Sequence, residues 1–226
     1  MNLLAGTWQW LVDPANWSGA GAIPSRILEH LAYSGIVMVV AVVVAVPLGL
    51  LVGHTGRGSG AVIGVSGALR ALPTLGLLTL FSLLMGLGLV PPLLALVILA
   101  VPPILTATYA GVAEVSPQVK DAAKAQGMTP LQVLTRVEMP LALPVAMGGI
   151  RNAALQVIAT ATVAAYINLG GLGRYLIDGL AVRDYSRMLG SVLLVAVLAL
   201  AIDAVLAALQ RALTSPGIRA SPAGAH

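Results

Sequence analysis

Long runs without charge are the feature that most constrains the fold of this chain. Residues 31–52 contain no Asp, Glu, Lys or Arg and are mostly aliphatic. In a helix that rises about 1.5 Å per residue, roughly 20 such residues cross the roughly 30 Å of hydrocarbon in a bilayer. Because lipid offers no hydrogen bonds to the backbone, a run of this kind predicts a membrane-spanning helix.

Composition extends this prediction to the whole chain. It is 58% hydrophobic and 9% charged, with a mean hydropathy of +0.97, whereas globular proteins are about 25% charged. These values predict a polytopic, all-α membrane protein. The absence of cysteine excludes disulfides, thiol catalysis and cysteine metal sites, and no metal or cofactor is predicted. The net charge of +4 is explained by charged loops, so no nucleic-acid partner is expected.

The apolar runs predict five transmembrane helices, at about residues 31–52, 61–89, 93–109, 141–165 and 188–209. Arg70 and Pro73 interrupt the second run, which predicts a kinked helix whose first turns lie near the headgroups. A tight corner is predicted at Val90–Pro92, and Pro102-Pro103 is predicted to bend the third helix.

The remaining segments complete the predicted organisation. Residues 1–30 hold all three tryptophans and are expected to be an extracellular or interfacial segment, followed by the transmembrane domain at residues 31–209. Residues 166–187 are expected to form a short loop. Residues 210–226 are small and polar and are predicted to be a disordered tail.

Lysine and arginine predict the orientation in the membrane. Four of them fall on the side of the amino terminus: Arg26, Arg174, Arg183 and Arg187. Eight fall on the other side: Arg57, Arg70, Lys120, Lys124, Arg136, Arg151, Arg211 and Arg219. Because cytoplasmic loops are enriched in these residues, the amino terminus is predicted to lie outside. Residues 111–140 and the carboxyl terminus are then cytoplasmic.

Residues 111–140 are the polar exception in this chain and contain both of its lysines. Ser116-Pro117 predicts a helix start, in which the serine side chain accepts a hydrogen bond from a backbone amide and proline fits the first helical position. Gly127 predicts the end of this helix, because glycine readily takes the left-handed conformation found there.

A second short helix is predicted after the first. Thr129 and Gln132 are three residues apart, as in a capping box, and Pro140 is expected to close the helix. The first helix is predicted to expose the small pair Ala122-Ala123 between charged neighbours. Two roles fit such a helix: docking into a groove of a protein partner, or lying on the headgroups as an amphipathic loop.

The spacing of this segment resembles the EAA signature of bacterial ABC importer permeases, E-A-A-x3-G-x9-I-x-L-P. The matching residues are Asp121-Ala122-Ala123, Gly127 and Val137-Glu138-Met139-Pro140, with Asp for Glu, Val for Ile and Met for Leu. In that family the segment is a coupling helix in a cleft of the ATP-binding subunit. The resemblance implies an ABC ATPase partner and these docking residues: Lys120, Asp121, Ala122, Ala123, Gly127, Met128, Val137 and Pro140.

The resemblance extends to residues 26–210. Four stretches are similar to the small osmoprotectant permeases: RALPTLGLL (70–78), PPILTATYAGV (102–112), PLALPVAMGGIRNA (140–153) and NLGGLG (168–173). That family has a five-span, MetI-like fold in the bacterial inner membrane. It implies a second permease chain, identical or paralogous, and an extracellular or periplasmic substrate-binding protein. The implied gate region includes Pro73, Thr74, Asn168, Gly170, Gly171 and Gly173.

The solutes implied by this resemblance are glycine betaine, carnitine or choline. Methionine-type importers share the EAA spacing and a GGLG-like loop, and they are the main alternative; ergothioneine or another betaine-like solute also stays open. Quaternary ammonium groups are normally held over aromatic faces, and the predicted spans contain no aromatic cluster. Selection is therefore expected on the binding protein, with this chain supplying a passage.

Other functions are disfavoured by particular residues. Gly53–Gly60 lacks the Gly-Lys-Ser/Thr ending of a phosphate loop, so ATP hydrolysis is expected on a separate subunit. Gly64–Gly67 matches the GxSG of rhomboid-type intramembrane proteases, but no histidine is expected in a neighbouring span as a base for Ser66. An ion-coupled secondary transporter is a further alternative, weakened because five spans do not divide into two inverted halves.

Arg151 and Asp203 are charged residues within or near predicted spans. A charge at mid-bilayer costs roughly 2.5–3.5 kcal/mol on insertion scales, so each is expected to reach water or a partner. One possibility is that both extend to the inner interface. The other is an ion pair between the fourth and fifth spans.

Overall fold

The computed structural model describes residues 2–167 and 169–214, and every regular element within them is helical. The helices are α1 (Leu3–Val12), α2 (Ile23–Thr55), α3 (Ser59–Ala71), α4 (Thr74–Met85), α5 (Val90–Ala113), α6 (Pro117–Ala125), α7 (Pro130–Val133), α8 (Met139–Ala164), α9 (Gly173–Val182) and α10 (Tyr185–Leu213). Short 3-10 turns occupy Pro14–Asn16 and Ala165–Ile167, and a π-helical turn occupies Leu134–Glu138. Asn168 and residues 215–226, most of the predicted tail, lie outside the described residues.

Four membrane spans can be identified in the described part of the chain, and five when a bent pair of helices is counted as one span. Four continuous helical stretches are long and apolar enough to cross a bilayer: Ile23–Thr55, Val90–Ala113, Pro130–Ile167 and Tyr185–Leu213. The fifth is the pair α3 and α4, which passes the same test together but is bent by 88° at a short break. The predicted all-α fold with five transmembrane helices is confirmed.

The first span starts earlier than predicted. α2 begins at Ile23, so the predicted boundary after residue 30 falls inside a helix. The polar residues of this extension have partners: Arg26 Nη1 donates to Glu29 Oε2 at 2.8 Å, and His30 Nε2 lies 3.0 Å from a backbone carbonyl of α8. Because their polar groups are paired, these residues can belong to the helix although hydropathy alone places its start after them.

The second span consists of two helices rather than one kinked helix. α3 ends at Ala71 and α4 begins at Thr74, with Pro73 as N-cap in an extended conformation (φ −68°, ψ 123°). Proline disfavours the helical conformation in the residue before it, here Leu72. This effect explains a break at this position where a kink was predicted.

The corner before the third span also lies elsewhere. Val90–Pro92 form the first turn of α5, not the predicted corner. Prolines fit there because amides in the first turn have no helical partner. The chain turns instead at residues 86–89, where Gly86 has a φ of 84°. Pro102 and Pro103 lie inside α5, which continues through them.

The predicted loop 166–187 contains a helix, α9, that the sequence did not indicate. Its ten residues are too few to span a membrane, and they follow a glycine-rich turn that suggests irregular structure. α10 then extends to Leu213, so residues 210–213 of the predicted disordered tail are helical.

The chain separates into two compact units. The first comprises Met1–Val40, Ala71–Ala100 and Ala154–Ile202; the second comprises Ala41–Arg70, Val101–Ala153 and the described residues from Asp203 onward. The core of the first unit is formed by Ile23, Ile158, Leu172, Tyr175 and Val195. Burial raises the pKa of Tyr175 above its ordinary value, and the protonated hydroxyl donates to the Gly21 carbonyl at 2.6 Å.

In the second unit α2 approaches α5 closely because it carries glycine at the contact. A Cβ at Gly53 would lie 2.6 Å from the Val112 Cβ, and one at Gly49 would lie 2.7 Å from the Thr108 Cβ. The two glycines are one turn apart, a spacing of small residues that lets two helices meet at backbone distance. The contact fixes the end of α2, where His54 lies, against α5.

Candidate functional site: the polar segment between α5 and α8

The polar segment begins with α6, which starts at Pro117 as predicted. The capping role predicted for Ser116 is wrong, because its hydroxyl contacts the side chain of Gln118 and no backbone amide. The amides of Val119 and Lys120 already donate to the Ser116 carbonyl, at 3.1 and 3.2 Å. Since Pro117 has no amide to offer, few donors remain for the hydroxyl.

α6 ends in a Schellman motif centred on Gly127. The Gly127 amide donates to the Lys124 carbonyl at 2.9 Å, and the Met128 amide donates to the Ala123 carbonyl at 3.3 Å. Gly127 has a φ of 81°, the left-handed conformation that the sequence predicts for it. Beyond it α7 opens with the predicted capping box, in which Thr129 and Gln132 each accept the other's amide. The corner between the helices is therefore defined on both sides by hydrogen bonds.

The helix that starts at Pro130 does not close at Pro140, contrary to the prediction. It continues as one helical stretch to Ile167, through the π-helical turn Leu134–Glu138 and α8. Pro140 has no amide to donate to a carbonyl one turn earlier, and the chain widens into the π turn directly before it. The polar segment is therefore joined to the fourth span by continuous helix.

The exposed face of α6 differs from the predicted one. Asp121, Ala122 and Lys124 are exposed, but Ala123 is 6% exposed and faces the protein. The prediction that Ala122 and Ala123 are exposed together is therefore wrong for Ala123. Successive helical positions are about 100° apart, and the step from Ala122 to Ala123 turns Ala123 onto the side of α6 that packs against the protein. The side chains of Lys124 and Asp121 form an exposed pair at 3.3 Å.

Lys120, a predicted docking residue, points inward. Its Nζ lies 3.1 Å from Glu138 Oε1 and donates to the Val112 carbonyl at 3.1 Å. Glu138 is 1% exposed, and its other oxygen, Oε2, lies 2.5 Å from His54 Nδ1. Sequence reasoning assigned no role to Glu138 or His54. Two features of the sequence could have drawn attention to them: Glu138 is flanked by apolar residues, and His54 lies at the end of a span.

An open hollow of about 260 Å³ lies beside this cluster. It is lined by His54, Lys120, Lys124, Met128, Pro130, Val133 and Glu138. Of the other residues predicted for docking, Met128 and Val137 are half-buried, whereas Gly127 and Pro140 are exposed. The predicted docking residues that α6 and its corner expose are therefore Asp121, Ala122 and Gly127, beside the exposed Lys124.

Arg151 and Asp203 lie in contact in the second unit. Arg151 Nε and Nη2 donate to the two oxygens of Asp203, each at 2.9 Å, which is a bidentate pair. Arg151 Nη1 also donates to Gln210 Oε1 at 3.0 Å, and the Gln210 amide donates to the Pro144 carbonyl at 2.9 Å. The network therefore joins α8 to α10 at two places: at Arg151, which contacts Asp203 and Gln210, and at Pro144, which contacts Gln210.

The residues predicted for the gate lie in the first unit. Pro73 lines an open, apolar hollow of about 560 Å³ on α4, and Thr74 is half-buried beside it. α4 and α9 both contact the turn Ala165–Ile167, which directly precedes Asn168. Gly170 and Gly171 follow in the connection to α9 and Gly173 is its first residue, so the structure gathers these elements at one end of α8.

Two side chains of α2 hold this glycine turn. Gly171 has a φ of 78°, and its amide donates to Glu29 Oε2 at 2.8 Å, the same oxygen that accepts from Arg26. A Cβ at Gly171 would lie 3.0 Å from His30 Nδ1, so the turn rests directly on α2. The roles of Glu29 and His30 had no signal in the sequence beyond their place before an apolar run.

Ser66 is not arranged as a nucleophile in the described residues. Its hydroxyl is buried without a hydrogen-bond partner, and the two histidines of the described residues are engaged elsewhere: His30 on a carbonyl of α8 and His54 on Glu138. A serine nucleophile needs a base within hydrogen-bond reach. The geometry gives no support to the protease alternative.

The fold of the chain has a counterpart among solved membrane transporters. The chain superposes with a TM-score of 0.76 on a solved structure titled "Inward facing conformations of the MetNI methionine ABC transporter", covering 90% of this chain and 99% of that chain. The sequences are 22% identical, so the likeness establishes the MetI-like fold alone.

The family follows from the sequence comparison. Residues 45–215 match the family described as "Binding-protein-dependent transport system inner membrane component", and the chain belongs to it. The protein is therefore a multi-pass inner-membrane transport subunit.

Named relatives align with this chain over most of their length. The choline transport system permease protein OpuBB of Bacillus subtilis is 38% identical over 89% of this chain and 93% of its own length. The glycine betaine/carnitine/choline permease OpuCB of the same organism is 40% identical with the same coverage. The osmoprotectant import permease OsmW of Salmonella typhimurium is 34% identical over 88% of this chain and 95% of its own.

Proposed function

We propose that the protein is the permease subunit of an ATP-driven importer for a compatible solute such as glycine betaine, carnitine or choline. The observation that carries this proposal is the set of relatives named for these solutes, 34–40% identical over about nine tenths of both chains. The methionine alternative has support only from the fold, at 22% identity.

The partner proposed for the polar segment is an ABC ATPase that binds the exposed face of α6. Asp121, Ala122 and Lys124 offer a small side chain between two charges, which suits close approach by another protein. Ala122→Glu should reduce co-purification of the ATPase while leaving the stability of the permease unchanged. The buried neighbour gives the contrast: Ala123→Glu should destabilise the segment itself. Equal recovery of the ATPase with Ala122→Glu would argue against this docking face.

The proposed orientation places the amino terminus outside and the polar segment and carboxyl terminus in the cytoplasm. Its support is the distribution of Lys and Arg, eight against four. The chain has no cysteine, so single introduced cysteines can report accessibility. Val119→Cys, on the exposed part of α6, should be labelled by a membrane-impermeant maleimide only after the membrane is opened. Labelling in intact cells would contradict the orientation.

The amino-terminal segment is proposed to lie at the headgroup interface on the outer face of the inner membrane. Leu4, Trp8 and Val12 follow each other at one-turn spacing on α1 and are 68%, 66% and 51% exposed. Another side of α1 contacts the start of α10: Thr7 Oγ1, which donates to the Leu3 carbonyl at 2.9 Å, lies 3.3 Å from the Ser186 carbonyl. An uncharged helix with an exposed tryptophan, held beside a span, suits the headgroup boundary.

High-affinity selection of the solute is proposed to occur on a separate binding protein outside the membrane. The aromatic pair of the first unit supports this division. Trp10 and Tyr175 meet edge to face at 5.1 Å, and the Arg187 guanidinium lies 5.2 Å over the Tyr175 ring. That ring face, which could hold a quaternary ammonium ion, already carries a cation of the protein.

The transport step is proposed to need two permease chains, identical or paralogous, that frame one passage. When ATP closes the ATPase pair, the two α6–α7 corners move together. The continuous helix from Pro130 to Ile167 carries this movement into α8, and the Arg151–Asp203 pair carries it on to α10. The displacement of both spans opens the gate region at Pro73 and Gly170–Gly173.

The decisive experiment is uptake in proteoliposomes that contain the permease, its ATPase and its binding protein. Labelled glycine betaine, carnitine and choline should accumulate only with ATP, and unlabelled methionine should not compete. Ergothioneine is included as a competitor to test other betaine-like solutes. Accumulation without the ATPase would exclude the proposed class, and competition by methionine alone would favour the alternative substrate.

A further inference from the structure

Glu138 is a buried carboxylate in the π-helical turn before α8. Its side chain is 1% exposed, and its two oxygens have different partners. Oε2 lies 2.5 Å from His54 Nδ1, at the end of α2, and Oε1 lies 3.1 Å from Lys120 Nζ, on α6. A buried carboxylate is strongly unfavourable without such partners, so this site is organised around the charge.

Lys120 extends the cluster to a fourth element. Its Nζ also donates to the carbonyl of Val112, in the last turn of α5, at 3.1 Å. This carbonyl also accepts from the Val115 amide at 3.3 Å, and carbonyls at the end of a helix favour a positive group nearby. One ammonium group thus ties α6 both to the π turn and to α5. α2 and α5 are in close contact at Gly53. The cluster therefore contacts two membrane helices that pack against each other, through His54 on α2 and the Val112 carbonyl on α5.

We propose that this cluster transmits movement of α6 to α2 and α5, in parallel with the continuous helix that leads from α7 into α8. Glu138 is then a positioning residue for coupling, which acts through Lys120 and His54 and does not contact the ATPase. It occupies a position that the EAA spacing leaves open, so the motif assigns it no function. The proposal rests on the function proposed above.

The first test measures how much solute moves per ATP hydrolysed. The complete transporter is reconstituted with wild-type permease, with Glu138→Gln, or with Glu114→Gln as control, since Glu114 is exposed on the same segment. Glu138→Gln should lower the ratio about tenfold, corresponding to the loss of one charge-assisted hydrogen bond. The ATPase should still co-purify. A ratio equal to that of wild type and control would overturn the proposal.

A double-mutant cycle tests whether Glu138 acts through Lys120. Lys120→Met should lower the ratio as Glu138→Gln does, and the double variant should be no worse than the more damaging single variant. Lys120→Arg keeps the charge and should retain most of the coupling. If the reductions in the ratio multiply in the double variant, Glu138 and Lys120 act independently of each other. That result would contradict the proposed path.

A distance measurement keeps the proposal testable even if transport is weak. Spin labels are placed on Thr55→Cys, at the end of α2, and Val119→Cys, on α6, in the chain that has no native cysteine. The distance should be narrow and independent of ATP in the wild type and should broaden in Glu138→Gln. A narrow distance in the variant would refute the link. Solute uptake by the wild-type transporter without ATP would instead refute the proposed function.

Discussion

Two ionic clusters in the second unit hold membrane helices together in different environments. Glu138 is 1% exposed and is enclosed by His54 and Lys120. Asp203 is 27% exposed and forms a bidentate pair with Arg151, which is 31% exposed. The protein therefore encloses the second cluster much less completely than the first. The comparison teaches that burial, more than the number of contacts, sets the consequence of losing one partner.

The largest expected effect is at the buried cluster. Glu138→Ala leaves Lys120 and His54 facing a cavity and should lower the free energy of unfolding by about 3 kcal/mol, toward the lower end for a broken buried pair because both partners keep some access to water. Thermal unfolding of the purified protein in detergent measures this loss. Glu114→Ala, at an exposed position, is the control, and equal losses at both positions would remove the basis of the comparison.

A backbone effect of intermediate size separates strain from charge. Gly127→Val places a β-branched residue at positive φ and should cost about 1–3 kcal/mol, with loss of ATPase coupling but normal membrane insertion. Gly148 is the matched control, because a Cβ at either glycine meets open space and only Gly127 has a positive φ. Unimpaired uptake by Gly127→Val, or equal impairment by Gly148→Val, would count against the corner as a coupling element.

The half-exposed cluster should tolerate exchange of its charges. Asp203→Arg and Arg151→Asp should each reduce uptake, because each places like charges together. The double variant should recover most of the activity, since it restores an ion pair between α8 and α10. Uptake of the three variants relative to wild type is the measurement. Equal damage from the single and double variants would show that orientation of the pair, including Gln210, matters more than its charge.

The smallest effect is expected at the fully exposed pair on α6. Asp121 is 73% exposed and its partner Lys124 is 63% exposed. Asp121→Ala should change the free energy of unfolding by less than about 1 kcal/mol, since water solvates both groups. The same unfolding measurement applies. A loss as large as that of Glu138→Ala would break the series that relates exposure to energetic effect.

Features that depend on neighbouring residues in the chain were predictable. The left-handed Gly127 and the capping box of Thr129 and Gln132 follow from local conformational preferences, and the structure contains both. The five spans follow from hydropathy, because the bilayer imposes one length on every crossing. Even here local rules failed where two preferences competed: Pro140 was expected to end a helix, but the helix continues through a π turn.

The organisation of the candidate site was less predictable. The motif spacing identified the segment but gave Lys120 and Ala123 outward roles, whereas both side chains face the protein. Glu138 and His54 are 84 positions apart in the chain, and nothing near either residue indicates the other. α9 was missed for a related reason, since ten residues after a glycine turn carry too little periodicity to identify a helix.

The sequence alone determined that this protein is a five-span helical membrane protein with one polar, two-helix segment, because hydropathy and capping act over a few turns of chain. It also carried the motif spacing and the similarity that identify the permease family. Only the tertiary structure decided which charged groups meet. A side chain buried among distant helices finds its partner through packing, and a buried charge is stable only where that packing supplies an opposite one.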